Sequence, residues 1–501
     1  MCKKIIEDLA GNWMEKEKIK EALSALRSEI KDPGKQKEAQ GLIGDGAWLI
    51  AMLSSDEPKV RKNAALLLGD LKVQQALSNL YAAYCVEETL FVKSAYLTAM
   101  GKLDAKEYAG KLKERQMELS RKVPAENEKK HFREEMRELE KILVDIEGVK
   151  KHTFRGFSEA QNFLLTTSRE QRNITLAEVK ALSTEVSYRV SEHPLGVLVQ
   201  SRQLSPFLHL RTYRELLFPL KAKVPANPRE AAAAVEKAGI VPFLFACHKE
   251  ETPFYFRLEL KSRMELDKKT DFAKKFAAEL EDLTGRKLIN STKNYEVEIR
   301  LAETKEGSFL AFLKLYTIPM KRFSYRKNAI AASIHPANAA VLMNLAKPYL
   351  KEDAQILDPF CGVGTMLIER DYCVPAREKY GIDTFGDAIV MARENAALAG
   401  EKINFIHRDY FDFKHAYLFD EIITNMPMRG KKTREEQDAF YARFFEKSQS
   451  ILSRDGIIIM YSNEQGFVKK QLRLRDNYRL LQEFCIREKD GFYLYIIGIK
   501  G

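Results

Sequence analysis

From Asn338 onward, short apolar runs alternate with longer stretches of helical period. QILDPF, EKYGID, INFIHRDY, FDEIITNMP and DGIIIMYS read as strands, while DAIVMARENAALAG and QDAFYARFFEKSQSIL read as helices between them. This alternation predicts a doubly wound sheet. Two more strands, around LLQEFCIRE and FYLYIIGIK, close the chain in succession and predict an antiparallel hairpin at the sheet edge. A hydride-transferring dinucleotide domain does not usually end this way.

Upstream the pattern is mixed. Between 156 and 225, NFLLTTS reads as a strand, ITLAEVKALS as a short helix, and VSYRV and GVLVQS as strands; LHLRTYRELLFPL is a helix or a strand. This order suits a small ferredoxin-like α+β module. Pro225, Asn227 and Pro228 mark a linker. A second mixed module spans 229–320, with helices over REAAAAVEKAGI and DFAKKFAAELEDLTG and strands over PFYFRLELKS, YEVEIRLAE and SFLAFLKLYT. In YEVEIRL the apolar Tyr295, Val297, Ile299 and Leu301 alternate with Glu296, Glu298 and Arg300, as in a half-exposed sheet.

Residues 1–150 read as all helix. VRKNAALLLGDL from Val60 matches VKSAYLTAMGKL from Val92, with Val60/Val92, Gly69/Gly101 and Leu71/Leu103 in register. A repeat of roughly 32 residues is the mark of stacked helical pairs, and the segment resembles HEAT-like repeats. Pro58 suits an early helical position and Asp56 a nearby cap. Lys111 to Ile146 reads as one charged, solvated helix ending at Gly148.

Composition narrows the class. The 501 residues are 45% hydrophobic and 31% charged, a soluble globular balance spread over three or four domains. No apolar run reaches the roughly 20 residues needed to cross a bilayer, and MCKKIIEDLAGNW has no signal-like apolar core, so a cytoplasmic protein without a membrane partner is expected. The six cysteines are scattered without a C-x-x-C pair and the eight histidines lack ligand spacing, so no metal is expected. The net charge of +11 suits a polyanionic partner.

The candidate chemistry lies at predicted strand ends. Asp358-Pro-Phe-Cys-Gly-Val-Gly-Thr365 follows an apolar strand and opens a helix. Gly362 and Gly364 allow a tight turn and close approach of a ligand, and the helix N-terminus favours a negative group. The run lacks both G-x-G-x-x-G and a P-loop Lys-Ser/Thr. Asp383 ends the next strand, where an acid binds ribose hydroxyls. Asp409 follows the third strand, placed to accept from an adenine amino group. Asn425-Met-Pro-Met428 ends the fourth. In amino-group methylation the planar acceptor nitrogen must become tetrahedral. An Asn oxygen and a backbone carbonyl rigidified by Pro427 accept its two N–H bonds, and more strongly as charge develops.

Together DPFCGVGT, YGID, RDYFDF and NMPMRG resemble class I S-adenosylmethionine-dependent methyltransferases acting on exocyclic amines. More narrowly, residues 156–501 resemble the THUMP-containing RNA guanine-N2-methyltransferases of tRNA and rRNA, through LLTTSREQRNITLAEVKAL, FRLELKS, INSTKNYEVEIRL, FLKLYTIP and YRKNAIAASIHPANAAVLMNLA. After the HEAT-like domain over 1–150 read from the repeat, the resemblance implies a ferredoxin-like domain over 156–225 and a THUMP-like RNA-binding domain over 229–320. A Rossmann-like catalytic domain with a seven-stranded sheet then occupies 321–501. It implies that Ser333, His335 and Pro336 lie near S-adenosylmethionine, and that Asp358, Phe360, Gly362, Gly364 and Thr365 form the methionine-side pocket. Asn425 and Pro427 hold the target amine, with Met428 completing the catalytic motif.

Met428 departs from the family pattern, which places an aromatic residue there to stack on the flipped base. A thioether contact, a different base, slow turnover, or a ring from Phe440 or Tyr441 are open. The HEAT-like segment is outside the usual layout and reads as a docking module for a protein partner or RNA. Adenine-N6 methylation of DNA or RNA, and an inactive RNA-binding scaffold, are the alternative functions.

Overall fold

The computed structural model describes residues 2–11, 16–122, 124–125, 127–148, 151–182, 184 and 186–500. The chain divides into two compact units, one of residues 1–151 with 290–296, the other of 152–289 with 297–501. Among the described residues no helix is long and apolar enough to cross a membrane.

The first unit is built from helices, and its two matching segments lie on Pro58–Asp70 and Leu90–Met100. Val60 and Val92 are both buried. A Cβ on Gly69 would stand 2.6 Å from Cα of Ala99, and one on Gly101 3.1 Å from Cγ1 of Ile142. The repeated glycine thus sits where each helix meets the next, and the missing side chain lets the backbones close up. Two local expectations are corrected. Glu57, not Asp56, holds the N-cap position of Pro58–Asp70, and its side chain does not cap. The charged segment is not one helix but two, Ala109–Ser120 and Lys129–Glu147. Pro124 falls between them, where it has no amide proton to continue the ladder. Nor is the second helix simply solvated. It buries Leu139, Ile142 and Leu143, and its buried Glu135 accepts from Tyr84 Oη at 2.5 Å and Arg115 Nη2 at 3.1 Å.

The second unit opens with eight strands: β1 (Gln161–Thr166), β2 (Tyr188–His193), β3 (Gly196–Ser201), β4 (Leu216–Pro219), β5 (Phe254–Lys261), β6 (Leu288–Asn290), β7 (Val297–Glu303) and β8 (Phe309–Leu315). They form one sheet in the order β2-β3-β1-β4-β8-β7-β5-β6. The two α+β segments therefore share a continuous sheet, joined where Phe218 of β4 pairs with Leu313 of β8. Asn227, read as part of a linker, instead caps the helix Pro228–Lys237 by accepting from Arg229 N and Glu230 N. A second helix, Ile240–Cys247, follows in a stretch too uniformly apolar to show a helical period. Of LHLRTYRELLFPL, Leu208 ends the short helix Ser205–Leu208 and Leu216–Pro219 form β4; Arg211–Arg214 lie in the loop between them.

The charged face of YEVEIRL is not solvated. Glu296 and Glu298 are both buried. Glu298 accepts from Arg257 Nη2 at 2.6 Å, Arg300 Nε at 3.0 Å and Tyr316 Oη at 3.0 Å. Burial alone would raise the Glu298 carboxyl, but these donors outweigh it and hold it below its ordinary value.

Seven more strands follow: β9 (Gln355–Asp358), β10 (Glu378–Asp383), β11 (Asn404–His407), β12 (Phe419–Asn425), β13 (Leu452–Ser462), β14 (Tyr478–Arg487) and β15 (Phe492–Ile499). Their order is β11-β10-β9-β12-β13-β15-β14. The first five run parallel, and β15 is antiparallel to both β13 and β14. This is a class I methyltransferase-like α/β fold. The order reverses between β9 and β12, so a crevice opens at the carboxyl ends of these two strands.

Two ion pairs fix the helix Thr365–Cys373 that follows β9. Arg211 Nη2 and Nε meet Glu369 at 2.7 and 2.9 Å, and Tyr325 Oη donates to the same carboxylate at 2.6 Å. Arg370 makes a two-point contact with Glu421 of β12, both at 2.8 Å, and neither side chain is exposed. Glu421→Ala would leave the Arg370 charge buried and unpaired, so urea denaturation should show a loss of about 3–5 kcal/mol. Replacing both residues by Met should cost less than that single change.

Candidate active site

The crevice at the ends of β9 and β12 is a cleft of about 630 Å³. Ser333, His335, Asp358, Phe360, Gly362, Thr365, Asp383, Asn425, Pro427 and Met428 line it together.

The loop after β9 is laced to the end of β10. Cys361 N donates to Ile382 O at 2.9 Å, and Gly362 N donates to Asp383 Oδ2 at 2.9 Å. The other Asp383 oxygen accepts from Phe385 N at 2.9 Å. Each carboxylate oxygen keeps a second lone pair for a hydroxyl ligand. Gly362 turns at φ +52°, and a Cβ there would meet only Cδ1 of Ile330, at 3.9 Å. Buried Asn395 clamps the neighbouring segment, donating to Val363 O at 3.2 Å and Asn328 O at 3.0 Å.

Asp358 is buried at the tip of β9 and accepts from Phe360 N at 3.1 Å. Burial, reinforced by the nearby Asp383, pushes its carboxyl well above the ordinary carboxylate value. His335 caps the helix Pro336–Ala346 by accepting from Ala337 N at Nδ1 (3.1 Å). Desolvation, with Arg214, Arg326 and Arg322 nearby, lowers its imidazole to about 4, so the ring is neutral at physiological pH. Asn425 ends β12, and its side-chain amide makes no hydrogen bond with any described residue. Three other polar atoms of the cleft are buried without a partner among the described residues: Thr365 Oγ1, Tyr461 Oη and Arg487 Nε. Such groups are costly unless a ligand completes them.

Several expected residues stand elsewhere. Asp409 is exposed and spends Oδ1 on Phe411 N at 2.9 Å, outside the cleft lining. Pro336 is buried at the first helical position of its helix. Gly364 turns at φ +82°, but a Cβ there would strike the Phe405 ring at 2.8 Å, so its small size serves packing rather than a ligand. Tyr441 is fully buried with its hydroxyl on Ser462, which removes it as a stacking ring. Phe440 packs against Phe360 at 5.4 Å and Phe411 at 5.6 Å. Met428 is 63% exposed at the cleft edge.

Asn395, Tyr461, Arg487 and Phe492 are the residues that motif reading missed. Tyr461 lies near the end of the fifth strand, where the rule that located Asp358 and Asn425 applies equally. Arg487 and Phe492 flank the turn of an antiparallel hairpin, which carries no such signal.

The geometry defines a class I methyltransferase-like site. Residues 324–489 match the UPF0020, RMKL-like methyltransferase domain. A curated relative, the tRNA (guanine(10)-N2)-dimethyltransferase of Methanothermobacter thermautotrophicus, is 26% identical over 155 residues, 30% of this chain and 45% of that protein. The chain thus spans about half the length of the curated relative it matches. The crystal structure of TrmN from Thermus thermophilus superposes with a TM-score of 0.50 at 20% identity, over 68% of this chain and 99% of that one. That likeness extends the shared fold into the eight-stranded sheet.

The raised Asp358 carboxyl makes a stability prediction. An acid whose folded pKa lies above its unfolded value of about 3.9 stabilises the fold below that value. The contribution is lost as pH rises through the folded pKa. Asp358→Asn removes the ionisation, so its melting temperature should exceed that of the wild type at pH 8, and the gap should narrow toward pH 5. A gap independent of pH would show that burial is not what governs this carboxyl.

Proposed function

We propose that this protein transfers a methyl group from S-adenosylmethionine to an exocyclic base amine of RNA, guanine N2 in tRNA or rRNA. The observation that carries the reading is the Asn425 amide, unengaged beside Pro427, at the tip of β12 in the same cleft as the Asp358–Thr365 loop. The curated relative's guanine-N2 chemistry supports the choice of amine.

The residues present fit the methyl donor. Gly362, whose absent Cβ would touch only Ile330 Cδ1 at 3.9 Å, and the partnerless Thr365 Oγ1 leave a cradle against the loop. Asp383 can take ribose hydroxyls on its remaining lone pairs, and Asp358 and Phe360 line the methionine side. Ser333 and neutral His335 close the cleft from the segment before Pro336. When bound, S-adenosylmethionine supplies an electrophilic methyl group. Asn425 Oδ1 and the backbone carbonyl next to Pro427 accept the two N–H bonds of the target amine and favour its tetrahedral form. Gln437 Nε2 donates to Pro427 O at 3.3 Å, which steadies this turn.

RNA is the partner that the charge distribution favours. Residues 152–501 carry 54 Lys and Arg against 45 Asp and Glu, whereas residues 1–151 carry 28 against 26. We assign the RNA affinity to the ferredoxin-like and THUMP-like modules within 156–320. The N-terminal helices serve as a HEAT-like docking module in a cytoplasmic protein.

Labelled methyl transfer from S-adenosylmethionine into total tRNA and rRNA of cells lacking the gene, with the nucleoside identified, tests the reading. N2-methylguanosine is expected; N6-methyladenosine, or no incorporation, would reject it. Asn425→Ala should slow single-turnover transfer about 100-fold, the scale of losing one transition-state hydrogen-bond partner. Its affinity for S-adenosylhomocysteine, measured by calorimetry, should stay unchanged. Asp383→Ala should instead weaken that affinity by about 1–3 kcal/mol.

A further inference from the structure

Asn425 can hold the amine of guanine or of adenine, so it cannot choose between them. The opposite side of the cleft carries the groups that can. Asn425 of β12 pairs in register with Tyr461 of β13. The Tyr461 ring stacks on Phe492 with centroids 4.9 Å apart and planes 23° apart. The Arg487 guanidinium lies 4.4 Å from the Phe492 ring centroid on β15. Nη1 of Arg487 is held by Asp490 at 3.3 Å, while its Nε–H is buried without a well-formed hydrogen bond and the Tyr461 hydroxyl faces the guanidinium. Tyr461, Phe492 and Arg487 all line the cleft that holds Asn425.

Building on the guanine-N2 reading above, we propose that Arg487 reads the N7/O6 edge of the target guanine. Guanine presents two adjacent acceptors there, which a guanidinium fork satisfies with two N–H donors. Adenine presents N7 beside an amino group, whose hydrogens oppose an arginine donor. Asp490 holds Nη1, and the Tyr461 hydroxyl faces the guanidinium, so the base would take Nη2 and displace that hydroxyl from the rest of the fork. Phe492 holds the guanidinium plane by stacking, and Tyr461 keeps Phe492 in place. This assembly does on the hairpin what an aromatic side chain at Met428 would do at the strand tip, and adds a hydrogen-bond code to it.

The test uses the full chain and a pool of unmodified tRNA transcripts made with GTP or with 7-deaza-GTP, which lacks the N7 acceptor. Single-turnover methyl transfer is followed and the product nucleoside identified. Arg487→Met should lower the rate on the GTP transcripts about 10- to 100-fold with an unchanged melting temperature. Arg487→Lys keeps the charge but not the fork and should not restore the rate. The 7-deaza transcripts should slow the wild type about tenfold and leave Arg487→Met nearly unaffected. If guanosine is methylated but the 7-deaza penalty is equal in wild type and Arg487→Met, this assignment fails while the guanine-N2 reading stands. If the product is N6-methyladenosine, both fall together.

Discussion

Glu369 and Arg370 are neighbours in sequence, and different parts of the molecule use them. Glu369 is taken by Arg211 and Tyr325, from the loop before β4 and the segment after β8. Arg370 is taken by Glu421 of β12. Both sit on the helix that begins directly after the Asp358–Thr365 loop. Arg211 is further fixed by its Nη1 bond to Arg322 O at 2.9 Å and by the Tyr372 ring, 4.1 Å from its guanidinium carbon. One helical turn thus ties the loop to the eight-stranded sheet and to the strand that ends at Asn425. A buried ion pair adds little net stability against a well-packed apolar pair. Two consecutive pairs aimed in different directions do fix the register of that helix against both neighbours. The site depends on this register, because the loop and Asn425 come from different strands.

The cleft itself is held in an unfavourable state. Asp358 is a buried acid whose ionised form the fold disfavours, and Thr365, Tyr461 and Arg487 each present a buried polar atom without a partner. An apolar replacement at any of these positions would relieve the desolvation penalty. Their convergence along one cleft is what separates a ligand site from a packing flaw. The stabilisation comes from elsewhere, including the buried aliphatic strands β9, β12 and β13 beneath the cleft.

Strand–helix alternation was legible in the C-terminal third because parallel strands buried on both faces read as apolar runs. The tips followed, since such a sheet presents chemistry at its carboxyl ends, and Asp358, Asp383 and Asn425 all stand there. Asp409 also follows a strand, β11, but stands exposed outside the cleft lining with Oδ1 on Phe411 N. Gly364 was misread because a left-handed turn and a crowded neighbour demand the same residue. Glu298 was misread because alternation reports polarity, not exposure. Arg257, Arg300 and Tyr316 make that face buried, and they come from three different strands or loops. The join of two α+β segments into one sheet depends on β4 pairing with β8, nearly a hundred residues away, which no local pattern encodes.

Met428 gathers these threads. It is exposed at the lip of the cleft, while the nearest rings are committed: Tyr441 to the core, and Phe440 to Phe360, Phe411 and the Lys432 ammonium 4.3 Å from its centroid. A base entering beside Asn425 therefore finds no free ring on the strand-tip side. On the hairpin side the ring lining the cleft is half-buried Phe492, already paired with a planar cation. A flexible thioether at the lip and a stacked arginine opposite divide the work that one aromatic side chain would do. The lip admits the base without tight shape demands, and the wall sets which base stays. Selectivity then rests on hydrogen-bond donors that are costly to leave unpaired, rather than on stacking, which tolerates any base.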